Sequence, residues 1–286
     1  MAVCNVCFRH CHLEEGKTGF CGGRTVRNGV VTAGNYGKIT GLALDPIEKK
    51  PLNRFFPGSR ILSVGSYGCN LRCPFCQNHE ISWSEHAWSL AERVETITPE
   101  KLADLADSLR NRGNIGVAFT YNEPLIGYEF VRDTAKQVHE RGMKNVLVTN
   151  GTASLQVLEE LAPYIDAMNI DFKGFQDSFY SDILHGSREM VMSFIEQAAR
   201  VCHIELTTLI IPGENDSEEE MRMLSSWIAG LKAWDGRTIG SRIPLHITRF
   251  FPQFHMTDRP PTDIGKLFRL VEIAKENLDY VYPGNV

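Results

Sequence analysis

The sequence has no apolar run approaching the about 18 residues that a membrane-crossing helix needs, so no span is expected. Its opening, MAVCNVCFRHCH, lacks the apolar core of a secretory signal, and a cytoplasmic, reducing location is expected. It has no long Lys or Arg block, and 30 basic residues against 35 acidic ones leave a net charge of −5. Broad nucleic-acid binding is therefore not expected. No internal repeat and no low-complexity tract occurs. With 43% hydrophobic and 23% charged residues among 286, a disordered or fibrous chain is excluded and a large core is within reach.

Against these absences stand eight cysteines, seven of them in two clusters. Cys4, Cys7, Cys11 and Cys21 form the first, Cys69, Cys73 and Cys76 the second, and Cys202 stands apart as an expected core residue. In a reducing compartment clustered cysteines serve metals more often than disulfides, and a set of three pairs poorly.

Residues 1–57 read as a small Cys-rich cap domain. It carries a hairpin signal in which Asn28-Gly29 separates Thr25–Arg27 from Val30–Thr32. Residues 58–286 alternate short β-branched runs with helix-period segments. The runs are 61–66, 115–119, 145–149, 167–172, 204–210 and 244–248. Thr98-Pro99 and Ser217 with Glu220 mark helix starts. Six such units predict an α/β fold with a parallel sheet. The polar residues Cys69, Glu123, Asn150, Asp171 and Lys173 all follow strand ends. That placement favours a partial (β/α)6 TIM-like barrel over a doubly wound sheet.

Cys69, Cys73 and Cys76 are spaced C-x3-C-x2-C in the loop after the first barrel strand. Structural zinc is closed by four ligands. Three thiolates in one loop suit a cubane iron–sulfur cluster with one open iron. The competing reading is a zinc ion completed by Cys202 or His79. The first cluster, with four cysteines, suits tetrahedral zinc or an auxiliary iron–sulfur cluster.

The loop motif, with Phe75 before Cys76, resembles the radical S-adenosylmethionine superfamily. Cys69-Asn-Leu-Arg-Cys-Pro-Phe-Cys-Gln-Asn78 is similar to the glycyl-radical-enzyme activases, the pyruvate formate-lyase activating enzyme group. Asp45–Leu52, Phe119–Pro124, Val148–Gly151, Asp171–Lys173, Thr207–Gly213 and the Cys-rich opening look like its AmmeMemoRadiSam branch.

The resemblance implies that Cys69, Cys73 and Cys76 ligate a [4Fe-4S] cluster whose fourth iron binds S-adenosylmethionine. One-electron reduction then yields a 5′-deoxyadenosyl radical that abstracts a substrate hydrogen atom. It places Phe75, Asn122, Glu123, Asp171, Lys173 and His246 around S-adenosylmethionine. Taken by themselves, Glu123 also reads as a helix cap, Asp171 and Lys173 as a surface ion pair, and His246 as a core histidine. The activases' cation-binding Asp is Val148 here, and one of their arginines is Thr207. An external reductant, flavodoxin or ferredoxin, is implied. The substrate is expected to be a glycine loop on a partner protein. The alternatives are a small metabolite such as a queuine-type deazapurine, cleaved by a radical lyase, or a non-catalytic metal or electron-transfer role.

Overall fold

The computed structural model describes residues 1–90 and 93–286. Its centre is an eight-stranded sheet: β1 (Gly41–Pro46), β2 (Arg60–Gly65), β3 (Asn114–Phe119), β4 (Lys144–Thr149), β5 (Ala167–Asp171), β6 (His203–Ile210), β7 (Leu245–Arg249) and β8 (Val281–Gly284). They lie in simple order β1 to β8, and the two outer strands do not pair with each other. β2 to β8 run parallel, while β1 runs antiparallel to β2. The expected partial barrel is therefore present, with more strands than the six expected.

β8 was not legible because its Val-Tyr-Pro-Gly has one β-branched residue and two strand breakers. It forms because β7 offers a free edge, in the register Leu245 to Val281. β1 falls in the stretch expected to belong to the cap, yet six of its residues pair with β2. The sheet thus reclaims residues 41–46 from the expected cap of 1–57.

Six helices cover one face: α1 (Pro99–Ser108), α2 (Tyr128–Glu140), α3 (Leu155–Leu161), α4 (Arg188–Val201), α5 (Glu218–Ala229) and α6 (Ile264–Ala274). The expected starts hold. Thr98 accepts from the Lys101 N–H with Pro99 in the first turn, and Ser217 accepts from the Glu220 N–H. Only half of that capping box forms, because the Glu220 carboxylate turns to the Phe175 N–H at 2.6 Å.

Strand alternation separates two cores. Leu62, Val117, Leu147 and Met168 face the helices. Ile61, Ala118, Val146 and Ala167 face inward, where Ile47 and Leu52 pack on them. The segment after β1 thus plugs the concave face of the sheet. Burying Ile47 and Leu52 fully contributes about 1.5–3 kcal/mol each.

The cap opens with a short antiparallel pair, Ala2–Val3 with His12–Leu13, and then forms the expected hairpin, Arg24–Arg27 paired with Val30–Ala33. Asn28 (φ 53°) and Gly29 (φ 76°) supply the two positive φ angles of its turn. Among the described residues no helix is long and apolar enough to cross a membrane.

Candidate active site

Parallel strands bring the ends of β2, β3, β4 and β5 to one rim, and the loops there carry the chemistry. The loop after β2 holds Cys69, Cys73 and Cys76, all free thiols. Burial pushes Cys69 well up and Cys73 up to about 12, with Lys173 opposing the rise at Cys73. Thiols so desolvated favour a partner that supplies positive charge at the sulfur, as iron does. Two N–H groups already point at Cys69 Sγ, Leu71 N at 3.4 Å and Asn150 Nδ2 at 3.7 Å. Among the described residues no three ligating side chains converge as one metal ion requires. A cubane takes each thiolate on a different iron and asks for no such convergence. The zinc alternative completed by Cys202 fails on topology. Cys202 precedes β6, at the strand end opposite the loop after β2.

The loop is held by neighbouring strand ends. Asn70 is fully buried; its Nδ2 donates to Thr152 O at 2.7 Å, and its Oδ1 accepts from Asn150 Nδ2 and the Thr152 hydroxyl, each at 3.0 Å. Asn122 Oδ1 accepts from the Ser66 N–H at 2.9 Å, and its Nδ2 donates to Gly68 O at 3.1 Å. Trp83 Nε1 donates to Cys73 O at 3.2 Å. The chain after β7 closes over the far side, where Gln253 Nε2 donates to Phe75 O at 2.7 Å and the His255 N–H to Pro74 O at 2.8 Å. Phe75 itself is buried.

Glu123 follows β3. It accepts from Thr149 Oγ1 at 2.7 Å, Asn150 N at 2.8 Å and Leu125 N at 3.0 Å. The capping role read from sequence is therefore real, and the same carboxylate also ties two strand ends together. Burial outweighs the three donors and pushes the acid up to about 7. A carboxylate has about four acceptor positions, so one remains open. Asp171 and Lys173 pair with each other at 2.8 Å, with the lysine mostly buried. Burial would lower Lys173, but Asp171 and Cys73 raise it, so it stays charged.

His246 shares a register level with Thr207 and Asp171. Its Nε2 lies 2.7 Å from Glu205 Oε2, and its ring stacks on Tyr282. Glu205 was missed from sequence, as was Asn70. Tyr121 was also missed as a site residue. It has φ +73°, and its hydroxyl donates to Asp45 Oδ2 at 2.9 Å. The same Asp45 oxygen accepts from buried Lys50 and from Ser63, both at 2.8 Å. Val148 packs against the inner apolar cluster, and Thr207 Oγ1 donates to Asn169 Oδ1.

Comparison with known proteins decides the family. The Radical SAM superfamily matches residues 63–224, more than half of the chain. This chain belongs to that superfamily. As a radical SAM enzyme it uses a [4Fe-4S] cluster and S-adenosylmethionine. An uncharacterized protein of Methanocaldococcus jannaschii is 39% identical over 99% of this chain and 81% of its own length. The pyruvate formate-lyase-activating enzyme of Clostridium pasteurianum is 27% identical over 62% of this chain and 72% of its own. Streptococcus suis SuiB bound to S-adenosylmethionine superposes with a TM-score of 0.57 at 14% identity, over 77% of this chain and 48% of that one. That last likeness speaks for the fold alone.

The three loop thiols of this radical SAM enzyme fit the cluster in number and freedom, with Cys73 buried and Cys69 and Cys76 half-buried. When bound, the cluster supplies single-electron reduction and the fourth iron to which S-adenosylmethionine attaches.

Proposed function

We propose that this enzyme cleaves S-adenosylmethionine reductively and removes a hydrogen atom from a glycine on a partner protein, as an activating enzyme. The observation that carries the reading is the rim itself: three free thiols on one loop, Cys73 buried and Cys69 and Cys76 half-buried, with Glu123, Asp171 and Lys173 on the next strand ends. In this reading Cys69, Cys73 and Cys76 hold the cluster. The open acceptor position of Glu123 takes the ammonium of S-adenosylmethionine, with Asn122 orienting the loop beside it. The Asp171–Lys173 pair offers one charge of each sign to its carboxylate and ribose. Phe75 and the 253–255 segment keep water from the loop, and His246 lines the inner face. The electron comes from an external flavodoxin or ferredoxin. Relatives named as activating enzymes support the substrate class; they include that of 4-hydroxyphenylacetate decarboxylase from Clostridioides difficile, 23% identical over 75% of this chain.

A second reading, a lyase or modifying enzyme on a small metabolite, is favoured by one feature. Asp45 near the end of β1, Lys50 on the plugging segment and Tyr121 after β3 form a linked polar group in which the lysine is buried and the other two are half-buried, suited to a small polar substrate rather than a peptide backbone. The test is anaerobic turnover of reconstituted protein with dithionite, reading 5′-deoxyadenosine. A deuterated glycine-loop peptide should raise that yield and pass deuterium into the product. Deuterium transfer only from a small molecule would replace the first reading with the second. No 5′-deoxyadenosine under any condition would remove both.

A further inference from the structure

Cys4, Cys7, Cys11 and Cys21 stand outside the reaction described above. All four thiols are free, and all four line one cavity, together with Arg9, Gly19, Arg24 and Ile126. Cys4, Cys7 and Cys21 are buried and Cys11 is half-buried. The segment carrying them is firmly set. The Cys4 N–H donates to Cys11 O at 2.9 Å, and the Ser154 N–H donates to Val6 O at 2.8 Å. Arg24 Nη1 reaches both oxygens of Glu129 at 2.7 Å. Four soft donors facing a common cavity form a metal site by donor chemistry.

Spacing then bears on nuclearity. Zinc draws four sulfurs to about 2.3 Å from one centre. Among the described residues no three ligating side chains converge in that way, in the quartet or in the loop trio. The trio belongs to a cluster by family, so it serves as an internal standard: a set of free thiols gathered at one place. The quartet has the same character.

We propose that Cys4, Cys7, Cys11 and Cys21 hold a second iron–sulfur cluster, closed by four protein thiolates and placed against the first. The two sets touch through the backbone. The Cys69 N–H donates to Cys21 O at 3.0 Å. Gly68, at φ +93°, is needed there, because a Cβ would come within 2.5 Å of the same oxygen. Arg9 Nε donates to Asn70 O at 3.0 Å, beside the trio, and its guanidinium lies 3.3 Å from the Phe20 ring centre. Arg72 meets the same ring at 3.7 Å. Both cations lie in the field of thiols from both sets, and so favour added negative charge on either cluster. With no open iron, the second cluster can exchange electrons but cannot bind S-adenosylmethionine.

The inference does not depend on the substrate, and its test separates it from the proposed function. The full chain is purified anaerobically after reconstitution with iron and sulfide, alongside the triple variant C69A/C73A/C76A and the double variant C7S/C21S. Iron and zinc are counted per folded chain, and Mössbauer spectra are taken. Each variant should keep about half of the wild-type iron as a cluster. The dithionite-reduced wild type should show an electron paramagnetic signal broadened by a second nearby spin, absent from both variants. Zinc in the triple variant, a triple variant without metal, or unchanged iron in C7S/C21S each overturns the proposal. If the triple variant does not fold, the C7S/C21S iron count decides alone.

Discussion

Two buried glutamates on one sheet are pushed in opposite directions. At the rim, Glu123 has three donors, and burial still holds it up at about 7. Toward the other strand end, Glu205 is buried too, and burial alone would raise it. Hydrogen bonds from His203, His246, Arg54 N and Asn53 N instead bring it down to about 2. Those partners lie at 3.0, 2.7, 2.7 and 2.9 Å. The floor is a saturated network that fastens the plugging segment to β6. The rim keeps desolvated thiols and a carboxyl with spare capacity, as a site awaiting ligands must. Stability and function thus divide along the strand axis.

The strongest attack on this contrast is Cys73→Ala. 5′-Deoxyadenosine formation should fall to background, while the melting temperature measured without cluster barely moves. A large stability loss would show that the rim also carries the fold. Next is Glu205→Gln, which should cost about 3 kcal/mol in urea unfolding by leaving buried donors mismatched. Its pH signature has a definite sign. A carboxyl depressed in the folded state stabilises above its unfolded value, and that contribution is lost as pH falls through the folded value. Wild type should therefore lose stability between about pH 4.5 and pH 2, and Glu205→Gln should lose less over that window.

Smaller is Asn70→Ala, which removes the link between the cysteine loop and Asn150 and Thr152. Activity or iron retention should drop by about 10- to 100-fold, as when a support behind a metal ligand is lost. Unchanged iron and rate would reduce Asn70 to packing. The least effect is expected from pH on S-adenosylmethionine affinity. If Glu123 meets the ammonium, calorimetry should show binding strengthening a few-fold from pH 6 to pH 8 as its proton leaves. A flat profile would move the contact elsewhere.

Legibility followed the same division. The trio, Glu123, Asp171 and Lys173 could be found because each sits at the end of a β-branched run, where the chain itself shows its polar residues. Asn28-Gly29 and Ser217 were readable because a turn or a cap is settled within four residues. Glu205 was hidden inside the run 204–210, and its partners Asn53 and Arg54 lie some 150 residues away in the chain. Asn70 looked like spacer between cysteines, and only its contacts with residues 150 and 152 give it a role.

Local chemistry written in the chain determined the donor set of the loop, the helix starts and the parallel α/β alternation. Those features depend on residues a few positions apart. Tertiary structure alone decided that 41–46 joins the sheet, that 47–55 fills its hollow, and that Cys21 lies against Cys69. Each of these depends on which distant surfaces exclude water together and which buried polar groups then find partners, and a linear pattern does not carry that pairing.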